Sequence, residues 1–213
     1  LFAGPDLLGP LASEGLKPLA HSGFWTPLVL GLAALVGAWR LQVGNHASAF
    51  DVLSLQRLSE VLLVWGAGWW ALAWVSEVLR FAPVNLQAPL LLAVAAISVA
   101  LWTLLALRLK WSSLGLLCTL LMPAAGVVLL AAWHSRYHPA ASVGWLAWTA
   151  VFVVHFVSLK RLAPMLPARA VSTAHVLGCW LLIGVLALEL RYGLLLLSEQ
   201  YNAWRWLGWA ILP

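Results

Sequence analysis

The chain has 213 residues and a formal net charge of +5, and 63% of its residues are hydrophobic while 9% are charged. A soluble domain carries roughly 25% charged residues. A chain with so few charges cannot surround a core of its size with a polar surface. The composition therefore excludes an ordinary water-soluble domain and indicates that lipid is the solvent for most side chains.

Long apolar runs predict a polytopic transmembrane helix bundle. A hydrocarbon core of about 30 Å is crossed by roughly 20 helical residues. Six stretches meet that length, and a seventh begins near the end of the chain: Phe24–Leu41, Leu58–Phe81, Leu86–Leu107, Ser113–Trp133, Ala141–Leu159, Ala170–Leu190 and Asn202–Pro213. The runs are continuously apolar and not alternating, which favours an all-α fold over a β-barrel.

The connections between these runs are too short for a separate soluble domain. We expect Leu1–Gly23 to be an extracytoplasmic loop or interfacial segment, and residues 24–213 to form one transmembrane helical domain. The chain starts without Met and stops within an apolar run. We therefore expect it to be a piece of a longer polypeptide, whose remaining portion or other membrane subunits are candidate partners.

The basic residues predict the orientation of the spans. With the loops numbered after each span, the odd loops carry Arg40, Arg57, Arg108, Lys110, Lys160, Arg161 and Arg169, and the even loops carry Arg80, Arg136 and Arg191. Lys and Arg are enriched in cytoplasmic loops, so we expect the odd loops in the cytoplasm and residues 1–23 outside. Basic residues placed in this way contact lipid headgroups, and we expect no nucleic-acid partner.

A proline interrupts the fourth predicted span. Pro123 lies near its middle and lacks the backbone N–H that a helix needs, so it should kink the helix and free one carbonyl. In the second span, Trp70, Trp74 and Glu77 share one helical face. Bulky rings next to small residues on this helix are typical of a helix-packing seam, with an aromatic-lined cavity as the alternative.

Ionisable side chains inside spans are costly and usually face the protein interior. They define a candidate buried polar site whose members are Glu60, Glu77, Arg80, His155, His175, Glu189 and Arg191. Glu77 with Arg80, and Glu189 with Arg191, lie near predicted outer helix ends. We expect these two ends to lie at similar depth and within reach of each other or of a shared water pocket.

His155 and His175 lie at matching depth on consecutive spans. Two helices joined by a short loop are usually antiparallel neighbours, so the two imidazoles can meet. A metal pair, a haem pair or a proton relay would use such a placement. The alternative is that each imidazole bonds a backbone carbonyl or hydroxyl of a neighbouring helix.

The remaining motifs do not indicate a particular reaction. His134 and His138 have a spacing of four, but we expect them at an exposed helix end. Cys118 and Cys179 fall inside spans, where we interpret them as small apolar residues. No Walker A loop, GxSxG, HExxH or CxxC occurs in the sequence, which removes the sequence support for ATP hydrolysis, serine acyl transfer and zincin chemistry. We assign no metal ligands, no cofactor and no catalytic residue.

Two stretches of the chain resemble a known family. They are the sequence from Ala174-His175 through Gly178-Cys179-Trp180 to Glu189 and Trp204-Arg205-Trp206, and the sequence from Gly144-Trp145 to His155 and Lys160-Arg161. Both are similar to the bacterial inner-membrane proteins grouped as domain of unknown function 2339. The resemblance implies a long, many-pass inner-membrane protein, and it implies no particular activity.

Three functions are compatible with this sequence. The first is a component of transport or translocation of a lipid-linked or small polar solute. The second is a membrane-embedded transferase acting on envelope precursors, and the third is a structural or assembly subunit in which the polar residues only pack. Whether the protein is an enzyme stays open at this point.

Overall fold

Residues 17–43, 52–133 and 137–200 are described by the structure, which is a computed structural model. In this part of the chain all regular elements are helical. The helices are α1 (Ser22–Val43), α2 (Val52–Phe81), α3 (Val84–Leu109), α4 (Ser112–Cys118), α5 (Leu121–Ala131), α6 (Gly144–Leu162) and α7 (Ala168–Gln200), with a short 3-10 helix (Ala163–Met165) after α6.

Six stretches of the described chain are long and apolar enough to cross a membrane. They are Ser22–Val43, Leu55–Phe81, Val84–Leu109, Ser112–Ala131, Gly144–Met165 and Ala168–Leu197. Large apolar side chains on these helices face outward, such as Ile97 and Leu130 at 69% and 71% exposure, as lipid-facing residues do. The all-α polytopic prediction is confirmed, and the predicted seventh span at 202–213 lies outside the described residues.

The fourth span is broken where Pro123 predicts a disturbance. Helix α4 ends at Cys118 and α5 begins at Leu121. A proline ring clashes with the carbonyl four residues earlier, which here belongs to Thr119. The helix opens at that residue, and the backbone N–H of Thr119 bonds the Leu116 carbonyl in a tighter turn.

The chain divides into two compact units, Leu1–Ala82 and Pro83–Pro213. The first contains the hairpin of α1 and α2. Gly31 faces Gly66 near the middle of the hairpin, and the Ser59 hydroxyl donates to the Ala38 carbonyl at 2.8 Å. Because the partner numbers rise on one helix as they fall on the other, the two helices are antiparallel.

Small residues let these two helices approach closely. A Cβ atom added at Gly66 would lie 2.9 Å from the Gly31 carbonyl oxygen, and one added at Gly31 would lie 3.0 Å from the Gly66 carbonyl oxygen. Towards the other end the Phe24 ring meets Trp74 edge-on, with ring centroids 5.2 Å apart. The predicted packing seam on α2 is thus formed with α1.

The second unit contains α3 to α7. Helix α3 packs along α6 and also contacts α4 and α5, while α7 contacts α5 and α6. Its core is apolar, and the largest fully buried side chains are Leu92, Leu114, Leu121, Met122, Val151 and Leu162. Helices α6 and α7 form a second hairpin, in which His155 lies against Gly178. These two hairpins position the polar residues.

Candidate functional site: a carboxylate–histidine pair in each hairpin

Glu77 of α2 is buried, with 6% of its surface exposed. Its carboxylate contacts residues of the segment that precedes α1. Its Oε2 lies 2.9 Å from His21 Nε2, and its Oε1 accepts a hydrogen bond from the Leu19 backbone N–H at 2.6 Å. An ionised carboxylate only accepts hydrogen bonds, so the shared proton is then on His21 Nε2. Both carboxylate oxygens are satisfied.

Local contacts hold His21 in place. Trp25, one turn into α1, donates from its indole N–H to the Leu19 carbonyl at 2.8 Å. The Phe81 ring, one turn beyond Glu77, lies 5.5 Å from the imidazole centroid. Leu19 adopts a left-handed backbone conformation with φ of 60°, which turns the chain so that its N–H faces the carboxylate.

Glu189 of α7 has a similar but looser set of neighbours in the second unit. Its Oε1 accepts a hydrogen bond from the Ala140 backbone N–H. Its Oε2 lies 3.4 Å from His138 Nδ1, without a hydrogen bond between the two side chains. The imidazole of His138 is stacked on the Tyr192 ring with centroids 3.9 Å apart. The His138 and Glu189 side chains are 25% and 31% exposed, so this pair is more open to its surroundings than the Glu77 pair.

Tyr137 belongs to the same region. Burial raises the pKa of its phenol, the nearby Trp148 indole N–H partly offsets that rise, and the negative charge of Glu189 adds to it. The Glu189 carboxylate therefore acts electrostatically on the loop before α6 as well as through its hydrogen bonds.

The two hairpins thus share one arrangement. In each, a glutamate in the C-terminal half of the second helix accepts one backbone N–H and lies beside one imidazole from the segment before the first helix. The donating backbone residue is two positions before His21 but two positions after His138. Both arrangements can anchor a chain segment, and the hydrogen-bonded His21–Glu77 pair can also hold one proton between a nitrogen and an oxygen.

His155 and His175 lie on adjacent helices but in different surroundings. His155 is 2% exposed, and its Nε2 bonds the Ala174 carbonyl oxygen at 3.1 Å. His175 is exposed. The Phe156 ring makes an edge contact with each imidazole, at 5.2 Å and 5.6 Å between centroids. His155 therefore has the backbone partner of the alternative hypothesis, and a site shared by the two histidines stays a prediction.

The remaining predicted residues lie apart from these imidazoles. Glu60 is exposed and accepts from the Gln56 amide at 3.3 Å. The Arg80 guanidinium lies beside Gly23, 3.7 Å from where a Cβ atom would be, and Arg191 is half-buried. Among the described residues, the carboxylates of Glu77 and Glu189 lie within ion-pair distance of histidines and not of the nearby arginines. No group of three metal-ligating side chains occurs in this part of the chain.

A family model described as predicted membrane protein, DUF2339, matches residues 10–213. The chain belongs to this family. The match extends far beyond the stretches that carry the resemblance in the sequence, and it includes both carboxylate–histidine pairs. No curated protein and no solved structure matches the chain.

Sequence reasoning missed one half of each pair in this DUF2339 chain. No sequence motif singles out His21, and the sequence predicts an exposed helix end for His138. A usable signal was present: His21 directly precedes the first span, and Glu77 lies four residues before the end of the second. In an antiparallel hairpin those positions have the same depth, so a histidine and a glutamate placed there can meet.

Proposed function

We propose that this protein is a bacterial inner-membrane component of transport or translocation of a lipid-linked or small polar solute. The observation that carries the proposal is the buried Glu77 carboxylate, paired with His21 near the end of a membrane helix. Ionisable residues within membrane spans are rare, and they commonly mark substrate or ion pathways.

The energetics of a buried pair support a functional role. Apolar residues that fill the same volume are often as stabilising as a buried ion pair, or more so. A hairpin needed only for support could therefore close with apolar contacts like those of Phe24 and Trp74. A carboxylate and an imidazole can instead pass a proton between them, and histidine is the side chain suited to such exchange near neutral pH.

The second pair and the charge bias add to this proposal. His138 and Glu189 repeat the arrangement in a more exposed setting, where a solute could reach the carboxylate. The excess of Lys and Arg in the odd loops favours an orientation with both pairs on the outer side. We propose that polar solutes meet the protein there, and the predicted closeness of the Glu77 and Glu189 helix ends is part of that proposal.

The proposal is tested by solute binding to the purified full-length protein. Inorganic phosphate, UDP-N-acetylglucosamine and undecaprenyl phosphate serve as probes, and thermal unfolding is followed by tryptophan fluorescence. A probe at about 100 times its dissociation constant stabilises the folded state by about 2.7 kcal/mol. We expect one probe to raise Tm, and the Glu77→Gln variant to lose that rise.

A transport role also requires movement across the bilayer. Proteoliposomes holding the full-length protein should accumulate the stabilising probe faster than empty vesicles, and Glu77→Gln should slow the uptake. Arg169→Gln, which removes an exposed charge at the start of α7, is the control. The absence of any shift in Tm, together with uptake equal to that of empty vesicles, would contradict the proposal.

The second candidate is a structural or assembly subunit. It is favoured by the bond from His155 to the Ala174 carbonyl, because this buried histidine serves helix packing. In that case substitutions at Glu77 and Glu189 would lower Tm without changing any solute response. The transferase alternative predicts turnover of a lipid-linked precursor, which the same purified protein can be assayed for.

A further inference from the structure

A groove runs along the face of α2 that does not carry Glu77. It is lined by Arg57, Glu60, Val64, Trp65, Gly68, Trp69 and Leu72 among others, and the open space along them is about 750 Å³. All of these residues belong to α2, so the groove is a property of the first unit. Trp65 and Val64 are 60% and 64% exposed, and the groove is open along its length.

A glycine makes room in this groove. A Cβ atom added at Gly68 would meet no atom within 4 Å. The Trp65 and Trp69 rings stand edge to face beside it, with centroids 5.8 Å apart. The result is an open apolar strip along α2 with the paired indoles at Gly68, a surface against which a flexible hydrocarbon chain can pack.

The groove is about as long as one leaflet with its headgroups. From Arg57 to Leu72 is fifteen residues, which is about 22 Å along a helix. Half of a bilayer that is about 40–45 Å thick with its headgroups is about 20–22 Å. Arg57 lies two residues inside the start of the span Leu55–Phe81, at headgroup depth, so the charged end and the apolar strip have the layout of a single lipid.

The charged end carries one group of each sign. Arg57 and Glu60 are one turn apart, both are exposed, and among the described residues no ion pair joins them. The Glu60 carboxylate accepts one hydrogen bond, from the Gln56 amide. A guanidinium binds a phosphate diester well, while the neighbouring carboxylate disfavours a purely anionic headgroup and attracts an ammonium group.

We propose that this groove binds a zwitterionic phospholipid with a primary ammonium headgroup, such as phosphatidylethanolamine. The phosphate lies on Arg57, the ammonium group on Glu60, and one acyl chain runs past Gly68 alongside the paired indoles. This site is independent of the proposed transport role, because it uses neither carboxylate–histidine pair.

The test measures which lipid the full-length protein retains. The protein is purified in detergent and given equal amounts of phosphatidylethanolamine, phosphatidylcholine and phosphatidylglycerol with identical acyl chains, and bound lipid is counted by native mass spectrometry. We expect the ethanolamine lipid to be favoured about tenfold, the effect of one charge-assisted hydrogen bond. Glu60→Gln should remove this preference, and Arg57→Gln should lower retention of all three lipids.

A matched pair of glycine variants tests the apolar strip. Gly68→Leu should fill the groove and reduce retention of every lipid, whereas Gly184→Leu should leave retention unchanged, because a Cβ atom at Gly184 of α7 also meets nothing within 4 Å. Thermal unfolding checks that each variant is folded. Equal retention of the three lipids by the wild-type chain would overturn the proposal, as would a folded Gly68→Leu variant that retains lipid like Gly184→Leu. If Arg57→Gln does not fold, the Glu60→Gln variant and the comparison of Gly68→Leu with Gly184→Leu still test the lipid-binding proposal.

Discussion

His21 and Glu77 are fifty-six residues apart in the sequence, yet the imidazole Nε2 lies 2.9 Å from the carboxylate Oε2. The contact joins the segment before α1 to the far end of α2. Because the Leu19 backbone N–H bonds the other oxygen of the same carboxylate, one side chain closes the hairpin and also fixes the entry of the chain into it.

Removal of the Glu77 carboxylate should open this end of the hairpin. Glu77→Ala leaves the buried His21 imidazole and the Leu19 N–H without partners, and breaking a buried pair costs about 3 kcal/mol of unfolding free energy. Glu77→Gln keeps an acceptor for the Leu19 N–H and should cost about 1 kcal/mol. Chemical denaturation measures both, and hydrogen exchange at the Leu19 amide reports the local opening.

The exposed Glu60 provides the control for that series. Glu60→Ala on the same helix removes a carboxylate held by one amide hydrogen bond, and it should change stability little. Equal losses for Glu60→Ala and Glu77→Ala would show that the buried pair does not hold the hairpin together.

Two neighbouring glycines should respond in opposite ways to alanine. At Gly66 the new Cβ atom would lie 2.9 Å from the Gly31 carbonyl oxygen, so the helices must separate, at a cost of about 1–3 kcal/mol. At Gly68 it meets open space, and the better helix propensity of alanine should add up to about 1 kcal/mol. Unfolding of the purified protein in denaturant gives both values, and a similar loss at the two positions would argue against the close approach of α1 and α2.

The phenol of Tyr137 should ionise at a higher pH than that of a free tyrosine. Because burial and the Glu189 charge raise its pKa, the folded state favours the neutral phenol. The resulting stabilisation is fully present below the unfolded pKa of about 10 and is lost as the pH rises through the folded pKa. Tyrosinate absorbance should show a late-titrating component that disappears in Tyr137→Phe, and that variant should lose less stability at high pH. A titration unchanged by the substitution would count against the shift.

The helices were predictable because their length is set by the membrane. Runs of about 20 apolar residues had to be spans, and Pro123 located the break in the fourth. The sequence predicts that the sixth span ends at Leu190, next to Glu189 and Arg191, whereas the apolar part of α7 continues to Leu197. In the fold, Glu189 accepts a backbone N–H and lies beside the His138 imidazole, so its charge is accommodated within the helix.

The candidate site was predictable only in part. Glu77 and Glu189 were identified because a carboxylate in an apolar run is conspicuous. Their partners were not, because a histidine in a polar segment carries no periodic signal. His21 gains its significance only when α1 and α2 are folded back on each other and its depth equals that of Glu77.

The predicted orientation of the chain is open to a direct test. Gln56 and Ser142 are exposed, and three spans separate them, so single cysteines there should react with a membrane-impermeant maleimide from opposite sides. The cytoplasmic side should be that of Gln56, since Lys and Arg are enriched in the odd loops. Labelling of both positions from one side would show the topology to be wrong.

His155 and His175 provide the last prediction. Burial and the bond to the Ala174 carbonyl indicate that His155→Ala leaves a cavity and removes one hydrogen bond between the helices, which should cost about 2–4 kcal/mol. His175 is exposed, so His175→Ala should leave stability nearly unchanged. Gly178→Ala should resemble His155→Ala, because its Cβ atom would lie 2.8 Å from the His155 Nε2. Denaturation of the three variants checks the expected order of their stability losses. The solute response of the same proteins distinguishes a packing role of the histidines from a shared binding site. If His175→Ala abolishes the response while the protein stays fully folded, the two histidines form a site and His155 does more than pack.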